Sequence, residues 1–144
     1  MTVPRRLRLG YTHFLIVCTA LLVVTGFRIA LIFFKYKTIA QRIRLRTLHR
    51  SDQPEFPQAA AWAVRQASRV VPFASCLTQA LSLQYILANH GQDSLVRVGV
   101  RVDKFDTVHA HAWVIHKDAI LLGGSEEKLS QYSAIADLSP IPDV

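Results

Sequence analysis

Two short stretches decide the fold of this chain: SCLTQAL at residues 75–81 and HAHAWV at residues 109–114. Cys76 follows a serine that suits a helix N-cap, and His111 stands 35 residues later in a strand-like run. A thiol at the start of a helix and an imidazole on a following strand are the minimal pair for acyl transfer through a covalent intermediate. Cys76 and His111 are therefore the candidate catalytic residues, with peptide hydrolysis as the simplest reaction.

The apolar pattern around these stretches predicts a helical layer on a small sheet. In the second helix, an apolar stripe that includes Cys76 faces the core, and Gly91 suits the position just after its end. A tight turn is expected at residues 117–118. The fold class is therefore α+β. The predicted elements are helices at 58–71 and 76–89 and strands at 95–102, 108–116 and 119–123.

The position of Cys76 has a chemical and a structural interpretation. The partial positive charge of a helix N-terminus favours a thiolate, and a neighbouring protonated histidine would favour it further. Alternatively, Cys76 is a small buried hydrophobic residue, which is a common role for cysteine. His109 and His111 could likewise belong to a polar, half-exposed strand face, although two histidines beside Trp113 exceed what such a face needs.

The charge divides the chain into two segments. Residues 1–50 hold ten Lys or Arg and no Asp or Glu, whereas residues 51–144 hold seven Lys or Arg against ten Asp or Glu. We therefore expect a basic, membrane-associated or partner-binding segment at 1–50 and a peptidase domain at 51–144. Nucleic acid is not expected as a partner, because the basic arm has no aromatic interleaving beyond Tyr36.

Residues 9–34 are almost wholly apolar, interrupted by His13 and Arg28. A bilayer-spanning helix needs about 20 apolar residues, so the run spans only if Arg28 is tolerated. A signal peptide and a helix that packs on a partner or lies in the membrane interface are the alternatives. The basic residues that follow predict a helix over residues 35–50 on anionic lipid. They also predict a protein at the cytoplasmic face of the inner membrane, or a cytoplasmic one.

The cysteines and the motifs of the sequence limit which disulfides, metals and cofactors are expected. Cys18 and Cys76 lie in different segments, which does not suit a disulfide framework and favours a reducing compartment. No zinc-ligand spacing and no phosphate-binding loop is present in the sequence, so neither a metal nor a cofactor is expected.

Several stretches together resemble the lasso-peptide leader peptidases, microcin-processing proteins with a transglutaminase-like (papain-like) C-terminal domain. The resemblance covers about residues 57–135. It is carried by WAVR at 62–65, SCLTQAL at 75–81, Gly91, RVGVR at 97–101 and HAHAWV at 109–114. It implies a cysteine peptidase that removes the leader from a ribosomally made precursor, with Cys76 as nucleophile, His111 as base and His109 as a neighbour. The implied partners are the precursor peptide, a leader-recognition protein and an asparagine-synthetase-like cyclase.

The third member of the family's catalytic triad is not where the resemblance predicts it. The family has an Asp about 13 residues after the histidine, and this chain has Gly124 there. The predicted hairpin would place residue 124 opposite His111, so that either Glu126 reaches back or the pair works without an orienting acid. Because of this departure, a weakened or inactive enzyme is a further alternative. The alternatives are a non-catalytic module that binds the precursor or the cyclase at the membrane, and a thiol acyltransferase of the transglutaminase type.

Overall fold

The computed structural model describes the backbone of residues 5–46 and 53–142, with side chains from Thr12 onward. The chain is an α+β protein, as predicted. The helices are α1 (Arg5–Phe33), α2 (Tyr36–Ala40), α3 (Phe56–Val70), α4 (Cys76–Asn89) and α5 (Glu126–Leu129). The strands are β1 (Arg44–Leu45), β2 (Leu95–Val102), β3 (Val108–His116), β4 (Ala119–Leu122), β5 (Ser133–Leu138) and β6 (Ile141–Pro142).

Strands β2 to β5 form an antiparallel sheet in the order β4-β3-β2-β5. The turn between β3 and β4 has positive φ at Lys117 (46°) and Asp118 (63°), the backbone of a type I′ hairpin turn, which confirms the predicted tight turn. Side chains alternate along β3, so that Ala112 and Val114 enter the core and Trp113 points to the other face. The sheet therefore has one face under the helices and a second face that carries the HAHAWV histidines.

Helix α4 is the centre of the core, and it has the bounds that the sequence predicts. Ser75 caps it, accepting a hydrogen bond from the Thr78 backbone N–H at 3.2 Å. At the other end Gly91 adopts φ 68°, and the last carbonyls accept hydrogen bonds from the N–H groups that follow. Leu83 and Leu87 are fully buried between α3 and the sheet. Each such side chain contributes about 1.5–3 kcal/mol to folding.

The segment after α1 differs from the predicted lipid-bound helix over residues 35–50. Helix α2 ends at Ala40, and Ile43 is 2% exposed, packed in a cluster with Leu81 and Ala88 of α4. The Ile43 carbonyl accepts a hydrogen bond from the Ile141 backbone N–H, where β1 pairs with β6. Burial of Ile43 in the protein core therefore replaces the expected contact with lipid. Residues 47–50 lie outside the described residues.

Helix α1 contains one segment, Thr12–Phe33, that is long and apolar enough to cross a membrane. Length and composition are the only criteria it meets, and core helices and signal sequences meet them too. In the fold, Ala20 and Val24 are fully buried in the cluster that α1 shares with α3 and α4. The N-terminal segment predicted at 1–50 thus contributes to the same core as the segment at 51–144.

Candidate active site

Cys76 occupies the first position of α4, as the sequence predicts. Its side chain is half-buried and packs against the core cluster under the sheet, and its thiol is free. The first four N–H groups of a helix have no acceptor within it, and here Ser75 Oγ satisfies that of Thr78. The N–H groups of the first turn and the helix dipole therefore point toward the space in front of Cys76, where they would favour a thiolate or an oxyanion.

His111 is held by a backbone carbonyl. Its Nε2 lies 2.6 Å from the carbonyl oxygen of Gly123. A carbonyl oxygen only accepts hydrogen bonds, so Nε2 carries the proton and donates it. In the neutral ring Nδ1 is then the unprotonated nitrogen, the form that a general base requires. The acceptor for His111 is thus a peptide carbonyl, at the place where catalytic triads have a carboxylate.

The carbonyl that holds His111 belongs to Gly123, the residue directly after β4, which has φ 116°. The pairing of β3 with β4 shifts by one residue between Val114 and Ile115. The regular hairpin that the sequence suggests would have placed Gly124 opposite His111. Within the part of the chain that the structure describes, no carboxylate is hydrogen-bonded to His111, and Glu126 instead begins α5 with an exposed side chain.

Aromatic rings surround His111 on this face of the sheet. Its ring centroid is 5.5 Å from that of Tyr132 and 6.2 Å from that of Trp113. Arg101 lies over the other side of the site, with its guanidinium carbon 5.4 Å from the Tyr132 ring centroid. Tyr132 was not predicted from the sequence, since it follows a short helix that lacked any strong local signal. The rings restrict the rotation of His111 and exclude part of the solvent around it.

Hydrogen bonds from Gln84 join α4 to the sheet. Its amide donates to the carbonyls of Ser94 (3.2 Å) and Leu138 (2.7 Å), which fixes the C-terminal half of α4 beside the start of β2. Cys76 lies eight residues, about 12 Å of helix, before Gln84.

The side chains of Cys76 and His111 lie on opposite faces of the sheet. The His111 ring lies on the face that carries Trp113, whereas Cys76 packs into the cluster that contains Ala112 and Val114. Among the described residues, Cys76 makes no hydrogen bond to a ring nitrogen of His111. The assignment of Cys76 and His111 as a catalytic pair thus stays a prediction.

His109 has a different partner from His111. Its Nε2 lies 3.0 Å from Oδ2 of Asp103, which belongs to the loop between β2 and β3. The hydrogen bond with His109, with smaller contributions from the backbone N–H groups of Thr107 and Phe105, lowers the pKa of the Asp103 carboxyl. His109 is therefore hydrogen-bonded to the loop between β2 and β3.

Within the described ranges, no group of three or more His, Cys, Asp or Glu side chains is placed to hold a metal ion.

The fold and the site define a class: a helix that begins with cysteine, packed on an antiparallel sheet whose second strand carries histidine. A comparison with family models gives the same class, since the model described as transglutaminase-like superfamily matches residues 21–137. The chain belongs to the transglutaminase-like superfamily. The match begins inside α1, which agrees with the packing of α1 into the core. No curated protein matches the chain. No solved structure matches it either.

Proposed function

We propose that this protein is a cysteine peptidase that removes the leader from a lasso-peptide precursor. The observation that carries the proposal is the position of Cys76 at the start of α4 inside a transglutaminase-like domain. Superfamily membership fits a cysteine peptidase or an acyltransferase. The resemblance of residues 62–65, 75–81 and 109–114 to leader peptidases favours hydrolysis of a precursor. A leader-recognition protein and an asparagine-synthetase-like cyclase are the proposed partners.

The reaction follows from the two side chains. His111 Nδ1 takes the thiol proton, and the Cys76 thiolate adds to the scissile carbonyl, whose oxygen receives hydrogen bonds from N–H groups of the first turn of α4. Collapse of this intermediate breaks the C–N bond as the imidazolium gives its proton to the leaving amine. Water, deprotonated by His111, then hydrolyses the thioester and regenerates the thiol. Before substrate binds, the Gly123 carbonyl holds the proton on Nε2, which leaves Nδ1 free to accept one.

This mechanism requires the thiol and the imidazole to come together when substrate binds. Catalytic hydrogen bonds often form fully only in the complex with substrate. Here the required movement is large, because the two side chains lie on opposite faces of the sheet. The His111 ring, and β3 with it, must turn toward the first turn of α4. We expect substrate to drive this change by filling the space between the two residues.

Co-expression with a candidate precursor, a short reading frame sought among the neighbouring genes, tests the proposal, with mass spectrometry of the products. We expect a leader and a core peptide from the native chain and neither from the Cys76→Ala or the His111→Ala variant. Cys18→Ala serves as the matched control, since it removes the other thiol, in α1. Undiminished cleavage by Cys76→Ala would disprove the peptidase. A cross-linked product that has lost ammonia would instead indicate a transglutaminase.

We propose further that the protein works at the cytoplasmic face of the membrane, with α1 lying on the membrane surface. At 100° per residue, six exposed apolar side chains fall within one 100° stripe of α1, away from the stripe that contains Ala20 and Val24. Such a stripe suits the boundary between headgroups and acyl chains. Its members are Phe14, Leu15, Leu22, Ile29, Ile32 and Phe33.

Flotation with phosphatidylglycerol-containing vesicles tests this location. The native chain should float, and the Leu22→Glu/Ile29→Glu variant should stay in the dense fraction with an unchanged circular dichroism spectrum. A variant that carries two glutamates in place of exposed neutral residues of another helix, Gln58→Glu/Val70→Glu of α3, controls for charge. Equal flotation of all three chains would contradict the proposed orientation.

A further inference from the structure

An apolar groove lies between α1, α2 and α4. Its volume is about 350 Å³, which is within the range of small-molecule sites. Five residues of α1 line it, together with Ile39 of α2 and Tyr85 of α4. Within the described part of the chain, this lining contains no charged side chain, and Tyr85 is its one polar side chain. Because a polar group buried without a partner costs free energy, the groove suits the apolar part of a ligand.

Gly26 keeps one wall of this groove open. A Cβ added at Gly26 would meet nothing within 4 Å apart from its own turn of helix. Glycine inside a helix is less favourable than alanine, and no packing contact in the described structure requires it here. The ring of the next residue, Phe27, lies 5.6 Å from the Tyr85 ring. Gly26 therefore leaves a space between α1 and Tyr85 that the protein itself does not fill.

The groove begins at the edge of the apolar stripe of α1 that is proposed to meet the membrane. Leu22, which is 77% exposed, belongs to both. At 100° per residue, Gly26 lies about 40° and Phe27 about 140° round the helix from Leu22, in the direction of the packed residue Ala20. An acyl chain in contact with the stripe could therefore enter the groove without crossing water.

Exposed cations lie near the groove with no acid among them. Residues 1–50 contain no Asp or Glu. Lys37 and Arg42 flank Ile39, and the Arg42 backbone N–H donates to the Ile39 carbonyl at 3.0 Å. Among the described side chains, neither cation forms an ion pair. An anionic headgroup could therefore pair with them while its acyl chain fills the groove.

We propose that this groove binds one acyl chain of an anionic phospholipid, and that Lys37 and Arg42 hold the headgroup. The inference deepens the proposed membrane location, on which the choice of a lipid rests. An apolar side chain of a partner protein would also suit the lining, but the shared edge with the stripe and the nearby cations favour the lipid. Each chain should then retain one lipid, distinct from the lipids that only contact the stripe.

Native mass spectrometry of the chain in nonionic detergent, incubated with phosphatidylglycerol, tests the proposal. We expect one bound phosphatidylglycerol per chain, and about tenfold less retention of phosphatidylcholine with the same acyl chains. Lys37→Gln/Arg42→Gln should remove this preference without changing the retention of phosphatidylcholine.

Substitutions of Gly26 assign the binding to the groove. Gly26→Leu should lower the retained phosphatidylglycerol at least about tenfold, because the loss of burial of two methylene groups has that effect. Gly26→Ala is the matched control. It also replaces the helical glycine but adds a single methyl group, so it should stay within about fourfold of the parent.

Photolabelling locates the acyl chain. Phosphatidylglycerol with a diazirine in its acyl chain should label Tyr85 of the native chain, since Tyr85 lies in α4, outside the stripe. Three results would overturn the inference. They are equal retention by Gly26→Leu and Gly26→Ala, equal retention of the two lipids by the native chain, and labels on Phe14 and Leu15 without a label on Tyr85.

Flotation separates failure of the groove from failure of the membrane location. Gly26→Leu keeps every side chain of the stripe, so it should float with vesicles as the native chain does. A native chain that floats but retains no lipid would overturn the groove alone. A native chain that retains one phosphatidylglycerol but does not float would support the groove and contradict the location.

Discussion

Replacing Gly123 with alanine tests how closely this residue, whose carbonyl holds the His111 ring, packs against Trp113. Gly123 has φ +116°, and an added Cβ would lie 2.8 Å from Trp113 Cα and closer still to Trp113 Cβ. Positive φ costs an L-residue about 1–2 kcal/mol. The clash with the buried Trp113 costs about 1–3 kcal/mol more, as overpacking does in other cores. Gly123→Ala should therefore lower the free energy of unfolding by about 2–5 kcal/mol.

Gly124→Ala is the matched control. Gly124 also has positive φ (+136°), but an added Cβ would meet only Leu129, with the nearest atom 3.9 Å away. This variant should lose only the conformational part, about 1–2 kcal/mol. Urea unfolding in a nonionic detergent measures the stability of both variants. We expect a lower urea midpoint for Gly123→Ala at an unchanged m-value. Equal midpoints would refute the reasoning, because the clash with Trp113 would then be absent.

The same pair of variants reports on the His111 tautomer. Long-range ¹H–¹⁵N correlation spectra of the imidazole distinguish a ring protonated at Nε2 from one protonated at Nδ1. The native chain and Gly124→Ala should show His111 protonated at Nε2, because the Gly123 carbonyl accepts that proton. A folded fraction of Gly123→Ala should show a mixture. Protonation at Nδ1 in the native chain would refute the assigned role of the carbonyl.

Three further substitutions should each lower the free energy of unfolding, for different physical reasons. Ser75→Ala removes the cap that accepts the Thr78 N–H, so it should cost about 1 kcal/mol in urea unfolding and leave the m-value unchanged. Gln84→Leu leaves the buried Ser94 carbonyl and the part-buried Leu138 carbonyl without this donor, so it should cost about 1–2 kcal/mol in the same assay, and a neutral result would contradict the hydrogen bonds. Asp137→Asn should cost about 0.5 kcal/mol at pH 7, because the Arg97 pair is partly exposed. Since hydrogen bonding by Arg97 lowers the pKa of Asp137 in the folded chain, the pair stabilises above the unfolded pKa near 3.9, and the difference between variant and parent should vanish as pH falls through the lowered value.

The elements predicted correctly from the sequence are those with local signals. The cap at Ser75, the apolar stripe and Gly91 lie within 17 residues, and they define α4 without reference to the rest of the chain. The hairpin turn at Lys117 and Asp118 is equally local. Such signals act through backbone geometry that neighbouring residues determine, and a sequence displays them directly.

The elements that were missed depend on partners far along the chain. Ile43 is buried because it meets α4, and its carbonyl pairs with Ile141, almost a hundred residues later. Strand β5 lacks clean alternation and is fixed by pairing with β2, including the ion pair from Asp137 to Arg97. In the site, the acceptor for His111 is the backbone carbonyl of Gly123, directly after β4, and a spacing rule for a side-chain acid does not predict a backbone acceptor.

Arg28 shows how the fold can change the meaning of a residue. In the sequence it is a charge inside an apolar run, a cost that a membrane span would have to bear. In the fold, α1 packs on α3 and α4 through Ala20 and Val24, and Arg28 turns toward Phe73 and the first turn of α4. A helix whose packed stripe belongs to the protein core cannot also be surrounded by lipid on every side. The cation thus lies outside the apolar stripe of α1 that is proposed to meet the membrane, and it contacts Phe73 instead of acyl chains.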